Sequence, residues 1–264
     1  MAVNDMFWLG TSWKMNKTIA EAQDWVATAF EDLSARQVLQ QFVIPSFTAI
    51  APVASRLHGT GVLVGAQDVH SDDDGAHTGD VSARQVADAG AALVEIGHQE
   101  RRRDHRETDA QINAKVLRTV ENGLRPLLCV GDTVDDRRWG ATDETLARQL
   151  KAGFAGMPEH ARRAAVVAYE PAWAIGVAGI PATSEQVIDA HQTIRRTLDK
   201  LWGADAARSV PIIYGGSVSR ENAAELSRLP PVDGLFIGRA ALDANTFVGI
   251  RSDILTSTRF KGER

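Results

Sequence analysis

A closed (β/α)₈ barrel, an α/β fold forming a single domain over residues 1–264, is the architecture this sequence predicts. Eight short apolar runs, bounded by Gly, Pro or Asn, alternate with longer stretches of helical period, and the alternation continues to the end of the chain. No linker, low-complexity tract or composition shift interrupts it, and 264 residues match the usual size of about 250 for such a barrel. A doubly wound open sheet usually stops at about five to seven strands, so the count favours closure.

The apolar runs lie at residues 7–13, 41–44, 62–66, 93–96, 126–129, 165–168, 210–214 and 234–237. Strands buried on both faces should lack polar alternation, and Leu-Leu-Cys, Val-Val-Ala and Leu-Phe-Ile in three of the runs obey that rule. Between the runs, helical spacing predicts helices over 19–33, 48–57, 83–89, 109–122, 144–154, 185–202 and 220–229, with a last one beginning near Ala241. Ser82 suits an N-cap, and Gly90 and Gly123 stand just past helix C-termini.

Composition narrows the function classes. The chain is 44% hydrophobic and 24% charged, with a net charge of -5, which fits a globular protein and disfavours a nucleic-acid footprint. Its one basic cluster, Arg101-Arg102-Arg103, is short, is followed by Asp104, and reads as a solvated helix face. A single cysteine, Cys129, precludes an intrachain disulfide, no Cys/His spacing resembles a zinc site, and a reducing cytoplasm is expected. The first residues lack a basic region followed by an apolar core, and no apolar run reaches about 18 residues, so neither export nor membrane partners are expected. Without a Gly-x-Gly-x-x-Gly after the first strand or a Gly-Lys-Ser/Thr loop, nucleotide cofactors lose their support; no cofactor and no metal is expected.

In a barrel, polar residues at the strand C-terminal ends converge on one face. The first strand presents Ser12, Trp13, Lys14 and Asn16 there, and the fourth presents Gly97-His98-Gln99-Glu100-Arg101, a turn entering a short helix. His98 would feel the positive partial charge of that helix start, which favours the neutral imidazole. Strand six delivers Glu170, and Pro171 then forbids a continued ladder, so the acid sits where strand becomes loop. Strands seven and eight end in Tyr214-Gly215-Gly216-Ser217-Val218 and Gly238-Arg239-Ala240, where glycines let backbone N–H groups approach an oxyanion. A lone lysine after a strand is ordinarily solvated and a lone Gly-Gly is ordinarily a tight turn; their places in the strand order give them weight. A carboxylate base, a neutral histidine donor, a lysine cation and an anion cradle suit proton transfer beside the carbonyl of a small phosphorylated sugar.

Five ordered motifs carry a resemblance over nearly the whole chain: Trp-Lys-Met-Asn at 13–16, Gly-Ala-His-Thr-Gly-Asp at 75–80, Gly-His-Gln-Glu-Arg-Arg at 97–102, Ala-Tyr-Glu-Pro-Ala-Trp-Ala-Ile-Gly at 168–176 and Tyr-Gly-Gly-Ser-Val at 214–218. The chain resembles the triosephosphate isomerase family. Members of that family pair a glutamate base with a neutral histidine beneath a closing loop, so these roles follow from the resemblance. It implies Glu170 as base, His98 and Lys14 as electrophiles, and Glu100 as the lysine's orienting partner. It further implies phosphate contacts from the backbone around Gly176, Ser217 and Gly238, a lid over residues 171–183, and a homodimer formed through the loop around Thr78.

The chain departs from the family pattern near the site. The family's Gly-Asn-Trp-Lys is replaced by Thr11-Ser12-Trp13-Lys14, its Gly-His-Ser-Glu by Gly97-His98-Gln99-Glu100, the lid after Gly176 runs Val-Ala-Gly-Ile-Pro, and Gly238 is followed by Arg239. Neutral drift accounts for single changes, whereas serine in place of asparagine beside the lysine opens space at the reacting end. More room fits a longer sugar, and a branch related to the family interconverts L-erythrulose 1-phosphate and D-erythrulose 4-phosphate through the same enediol chemistry. Gln99 either hydrogen-bonds the added hydroxyl or starts a helix facing solvent. Arg239 either strengthens phosphate binding or contributes only its backbone N–H. Cys129 reads as a small buried hydrophobe. The expected function is therefore a tetrulose-phosphate isomerase acting on a small sugar phosphate. The alternatives are a triosephosphate isomerase proper and a catalytically silent sugar-phosphate-binding barrel, the last opposed by the joint presence of Lys14, His98 and Glu170.

Overall fold

Eight parallel strands pair in chain order and close on themselves: β1 (Phe7–Ser12), β2 (Leu39–Ile44), β3 (Leu63–Ala66), β4 (Leu93–Ile96), β5 (Arg125–Val130), β6 (Val166–Tyr169), β7 (Ile212–Tyr214) and β8 (Gly234–Ile237). The register Trp8↔Gly234 to Thr11↔Ile237 joins β1 to β8 and shuts the barrel. The computed structural model describes residues 6–175 and 179–257.

Alternation along each strand separates two cores. Trp8, Phe42, Ile44, Leu93, Leu127, Cys129, Val166, Ala168, Ile213 and Phe236 fill the barrel interior, and the intervening residues, such as Leu9, Val94, Leu128, Val167 and Leu235, pack outward against the helices. The lower interior is aromatic: the Phe42 ring lies 5.9 Å from Trp8 and 5.4 Å from Phe236. Gly10 is required there, because a β-carbon would fall on the Phe42 ring.

Outside the barrel, the helices among the described residues are α1 (Ile19–Ala29), α2 (Ile50–Leu57), α3 (Ala83–Asp88), α4 (Gln99–Asp104), α5 (Asp109–Glu121), α6 (Val134–Arg138), α7 (Thr142–Gly153), α8 (Ser184–Trp202), α9 (Ala204–Arg208), α10 (Ala223–Leu226) and α11 (Ala244–Leu255). Ser82 caps α3 in a reciprocal box with Gln85, and Gly90 and Gly123 take φ of 94° and 73° past their helices, as the sequence predicts. The α6 and α9 helices are five residues each, too short for a periodic signal, and were not predicted. The last helix starts later than expected: residues Arg239–Leu242 form a 3₁₀ turn, and Asp243 then caps α11 by accepting the Thr246 N–H at 2.7 Å. Trp25 joins the two ends of the helical ring, packing 5.2 Å from Phe247 of α11 and donating to the Ala241 carbonyl at 2.9 Å.

The arginine triplet is not one solvated face. Arg103 is exposed and pairs with Asp104, but Arg101 joins Asp68, Glu107 and Lys115 in a charge network in which Lys115 is buried, and Arg102 donates to the Gly97 carbonyl and to Asp109, each at 2.8 Å. These arginines brace α4, whose first residues carry the site.

Candidate active site

The strand C-terminal ends surround a cavity of about 500 Å³ lined by Ser12, Lys14, Glu95, His98, Glu100 and Glu170 on one side and by the 215–219 and 236–240 segments on the other. Glu170 is one residue past β6: its N–H still joins the ladder through Val130 O at 2.7 Å, and Pro171 ends the strand. Its side chain is buried at 1% exposure and turns inward, as predicted. Two glycines admit it. A β-carbon on Gly215 would stand 3.0 Å from Glu170 Cγ, and one on Gly131 would collide with the Glu170 carbonyl.

His98 caps α4 with its ring. Nδ1 accepts the Glu100 N–H at 3.0 Å, so it carries no proton, and the imidazole is neutral with its hydrogen on Nε2. Nε2 faces the carboxylates of Glu170, at 3.6 Å, and Glu95, at 4.0 Å.

Lys14 takes φ of 53°, a left-handed conformation that a long side chain rarely adopts. The turn is held by Gln67, which donates to the Lys14 carbonyl at 2.8 Å, and by Asn16, which donates to Trp13 O at 2.7 Å. Such strain persists where the surroundings over-determine it, and here it aims Lys14 Nζ at Glu100 Oε1, 2.7 Å away. Burial pushes the Glu100 carboxyl up, but the hydrogen bond and charge of Lys14, with further help from His98 and Arg103, outweigh it and hold the acid ionised.

Ser12 and Glu95 join under this group. Ser12 Oγ, from β1, donates to Glu95 Oε2, from β4, at 2.8 Å across the barrel interior. Glu95 is 3% exposed, and burial pushes its carboxyl up to about 7, with the nearby Glu170 also acting upward and His98, Ser12 and Lys14 acting downward. Sequence reasoning passed over Glu95. The signal was present: a charged residue within Leu-Val-Glu-Ile breaks the continuous apolar run expected of a doubly buried strand.

At the opposite end the cavity is backbone. Gly238 precedes the 3₁₀ turn, and the leading N–H groups of such a turn have no acceptor within it. Ser217 and Arg239 line the same end, Arg239 with an exposed side chain. Gly216 clears the Tyr214 hydroxyl, onto which a β-carbon would fall. That phenol is pushed up to about 12 by burial, and backbone groups of Ala182 and Ser217 hydrogen-bond to it, joining the downstream part of the 171–183 segment to the cradle.

The upstream part of that segment is tied down by Asp132. Its carboxylate accepts from Tyr169 OH at 2.9 Å and Trp173 Nε1 at 3.3 Å, and Arg137 lies over the Trp173 ring at 4.6 Å. Asp132 was not singled out from the sequence, because a lone acid after a strand has no distinguishing spacing.

The structure thus brings together Ser12, Lys14, His98, Glu100, Glu170, Ser217, Gly238 and Arg239. Gln99 does not join them among the cavity-lining residues. Its amide nitrogen is buried toward Gly131 without a hydrogen-bond partner, while its backbone N–H approaches Glu170 Oε2 at 3.5 Å. Gly176 lies outside the described residues. Cys129 is buried on the inner barrel face, and burial pushes its thiol well up, in keeping with a small hydrophobe.

Comparison with known proteins follows the same lines. The family model described as triosephosphate isomerase matches residues 7–254. The chain is 46% identical over 247 residues to a protein of Rhizobium meliloti (strain 1021) named L-erythrulose-1-phosphate isomerase, covering 92% of this chain and 94% of the relative. A Rhizobium etli protein of the same name is 43% identical over 245 residues, covering 92% and 90%. Among solved structures, triosephosphate isomerase from Bartonella henselae superimposes with a TM-score of 0.83 at 33% identity, covering 94% of this chain and 98% of that one.

Proposed function

The chain belongs to the triosephosphate isomerase family and is an isomerase, and from that premise we propose that its substrate is a four-carbon ketose phosphate, L-erythrulose 1-phosphate, converted to D-erythrulose 4-phosphate. The observation that carries this reading is Ser12: the serine leaves the floor beside Lys14 free of a larger side chain and is paired with a second carboxyl, Glu95. The names of the relatives support it.

The phosphate sits against the backbone of Ser217 and Gly238, with the described flanks of the 171–183 segment, 171–175 and 179–183, closing above it. Glu170 takes the proton from C3 of the ketose, and the C–H electron pair becomes the C2–C3 double bond while the C2 carbonyl oxygen gains negative charge. His98 Nε2–H donates to that oxygen, and Lys14, oriented by Glu100, supplies the positive field over the developing enediolate. The C2 oxygen takes up the His98 Nε2 proton, the C3 hydroxyl gives its proton back to Nε2 as C3 becomes the new carbonyl, and Glu170 returns to C2 the proton it took from C3, so the product carries a hydroxyl at C2 and both side chains end as they began. The neutral imidazole donates without first losing charge, so no step creates an isolated buried ion.

Two copies associate through the loop around Thr78; the support is exposed apolar surface, with Met15 at 96% and Phe47 at 40% exposure, and Phe47 lies beside Gly79 and Asp80 of that loop. Light scattering of the purified protein should give twice the chain mass, and a monomer at micromolar concentration would refute it. The lone buried Cys129 is in keeping with a cytoplasmic setting. Steady-state turnover of L-erythrulose 1-phosphate and dihydroxyacetone phosphate tests the substrate. A higher kcat/KM for the tetrulose phosphate is expected, and equal or better use of the triose phosphate overturns the reading.

A further inference from the structure

The chemistry above accounts for one carboxylate base, one histidine, one lysine and the lysine's partner. It leaves Glu95 unused. A carboxyl on the inner face of a barrel is costly to bury, and Ser12 satisfies only one of its oxygens. Among the described residues Glu95 Oε1 has no hydrogen-bond partner, His98 Nε2 at 4.0 Å being beyond reach.

We propose that Glu95, anchored by Ser12, is the specificity-determining residue that hydrogen-bonds the terminal hydroxyl of the four-carbon substrate; this rests on the tetrulose-phosphate reading. A carboxylate oxygen of Glu95, His98 Nε2 and a carboxylate oxygen of Glu170 all lie within 4.8 Å of one another. The carbon that Glu170 deprotonates must touch Glu170, and the carbonyl oxygen must touch His98. The added hydroxymethyl group is bonded to that same carbon, so its oxygen is two bonds away. With the phosphate held by the β7 and β8 loops, the free end of the substrate points away from the cradle, toward the floor where Ser12 and Glu95 cross from β1 to β4.

The donor pattern fits a hydroxyl. Ser12 donates to Oε2, so a proton on the Glu95 carboxyl resides on Oε1, which can then donate to the substrate oxygen; ionised, Oε1 accepts from it instead. A triose phosphate has no group there and leaves Oε1 unpaired in the closed site, the situation in which hydrogen-bonding pockets discriminate most strongly. The same three side chains are close enough to surround a cation, but Nδ1 of His98 accepts the Glu100 N–H, which puts the ring proton on Nε2, the atom a cation would need.

The test compares wild type with Glu95→Leu, Glu95→Gln and Ser12→Ala, measuring kcat/KM for L-erythrulose 1-phosphate and dihydroxyacetone phosphate, with sn-glycerol 3-phosphate as a competitive inhibitor. Glu95→Leu should lower the tetrulose-to-triose kcat/KM ratio by at least about 30-fold, because a buried hydrogen bond to the substrate is lost. Glu95→Gln should recover most of the ratio, and Ser12→Ala should lower it less than Glu95→Leu does. Inhibition by glycerol 3-phosphate, which lacks the added group, should move by less than about threefold. An equal loss on both substrates, or no change in the ratio, overturns the proposal while leaving the substrate reading intact. Wild-type preference for the triose phosphate overturns the substrate reading itself, before any variant is considered. If Glu95→Leu does not fold, an unchanged ratio in both Glu95→Gln and Ser12→Ala is the refuting result, and a graded loss supports the assignment.

Discussion

The two ends of the cavity are built from different materials. The end proposed to react is made of side chains at the ends of β1, β4 and β6, with Lys14 bonded to Glu100, Glu100 N–H to His98, His98 facing Glu170, and Glu95 anchored by Ser12. The opposite end, where the proposed phosphate site lies, is made of backbone from the loops after β7 and β8, with glycines that clear space for neighbouring groups. Charge at the reacting end is positioned before substrate arrives, which is where electrostatic stabilisation acts most strongly on a transition state. On the proposed assignment the backbone end offers oriented dipoles that would bind phosphate equally in ground and transition states, and so would govern affinity more than rate.

That division can be broken at either end. Glu170→Gln removes the base and should lower kcat by about 10³- to 10⁴-fold, with glycerol 3-phosphate inhibition changed only slightly. A parallel collapse of inhibitor binding would show that the two ends are not separable. His98→Ala should lower kcat by about 10²- to 10³-fold in steady-state assays, again with inhibition largely kept. Gly216→Ala attacks the other end: its β-carbon falls on the Tyr214 hydroxyl that joins Ala182 to Ser217, and overpacking of this kind should weaken phosphate binding by about tenfold. Inhibition constants for glycerol 3-phosphate and inorganic phosphate would read it, and a loss in kcat alone would contradict the assignment.

The smallest effect concerns stability. Burial raises the Glu95 carboxyl from 4.5 to about 7, so the folded chain keeps this proton to higher pH than the unfolded chain does. The stabilising contribution is present below about 4.5 and lost as pH rises through about 7. Thermal unfolding followed from pH 5 to pH 8 should therefore show wild type declining relative to Glu95→Gln across roughly that window. Parallel profiles would place the Glu95 proton elsewhere.

The contrast between the ends also explains what the sequence could convey. Strand order and the Gly-Gly and Gly-Arg steps after strands seven and eight marked the backbone end of the cavity, because local backbone chemistry is written in consecutive residues. The glycines do more than was read from them: Gly216 clears the ring of Tyr214 two residues before it, and Gly215 makes room for Glu170, a contact between strand ends that no local pattern encodes. At the reacting end, Glu170, His98 and Lys14 were legible as polar residues at strand ends. Ser12–Glu95 was not, since its partners are 83 residues apart and meet only when β1 and β4 face each other across a closed barrel. Short helices α6 and α9 escaped for want of length, and the bracing role of Arg101 and Arg102 depends on acids from distant segments.

The central claim, that an isomerase of this family has its reacting end built for a four-carbon ketose phosphate, is tested most directly by wild-type kcat/KM on L-erythrulose 1-phosphate and dihydroxyacetone phosphate measured in the same preparation. The account predicts a clear preference for the tetrulose phosphate. Turnover of dihydroxyacetone phosphate at an equal or higher kcat/KM would contradict it.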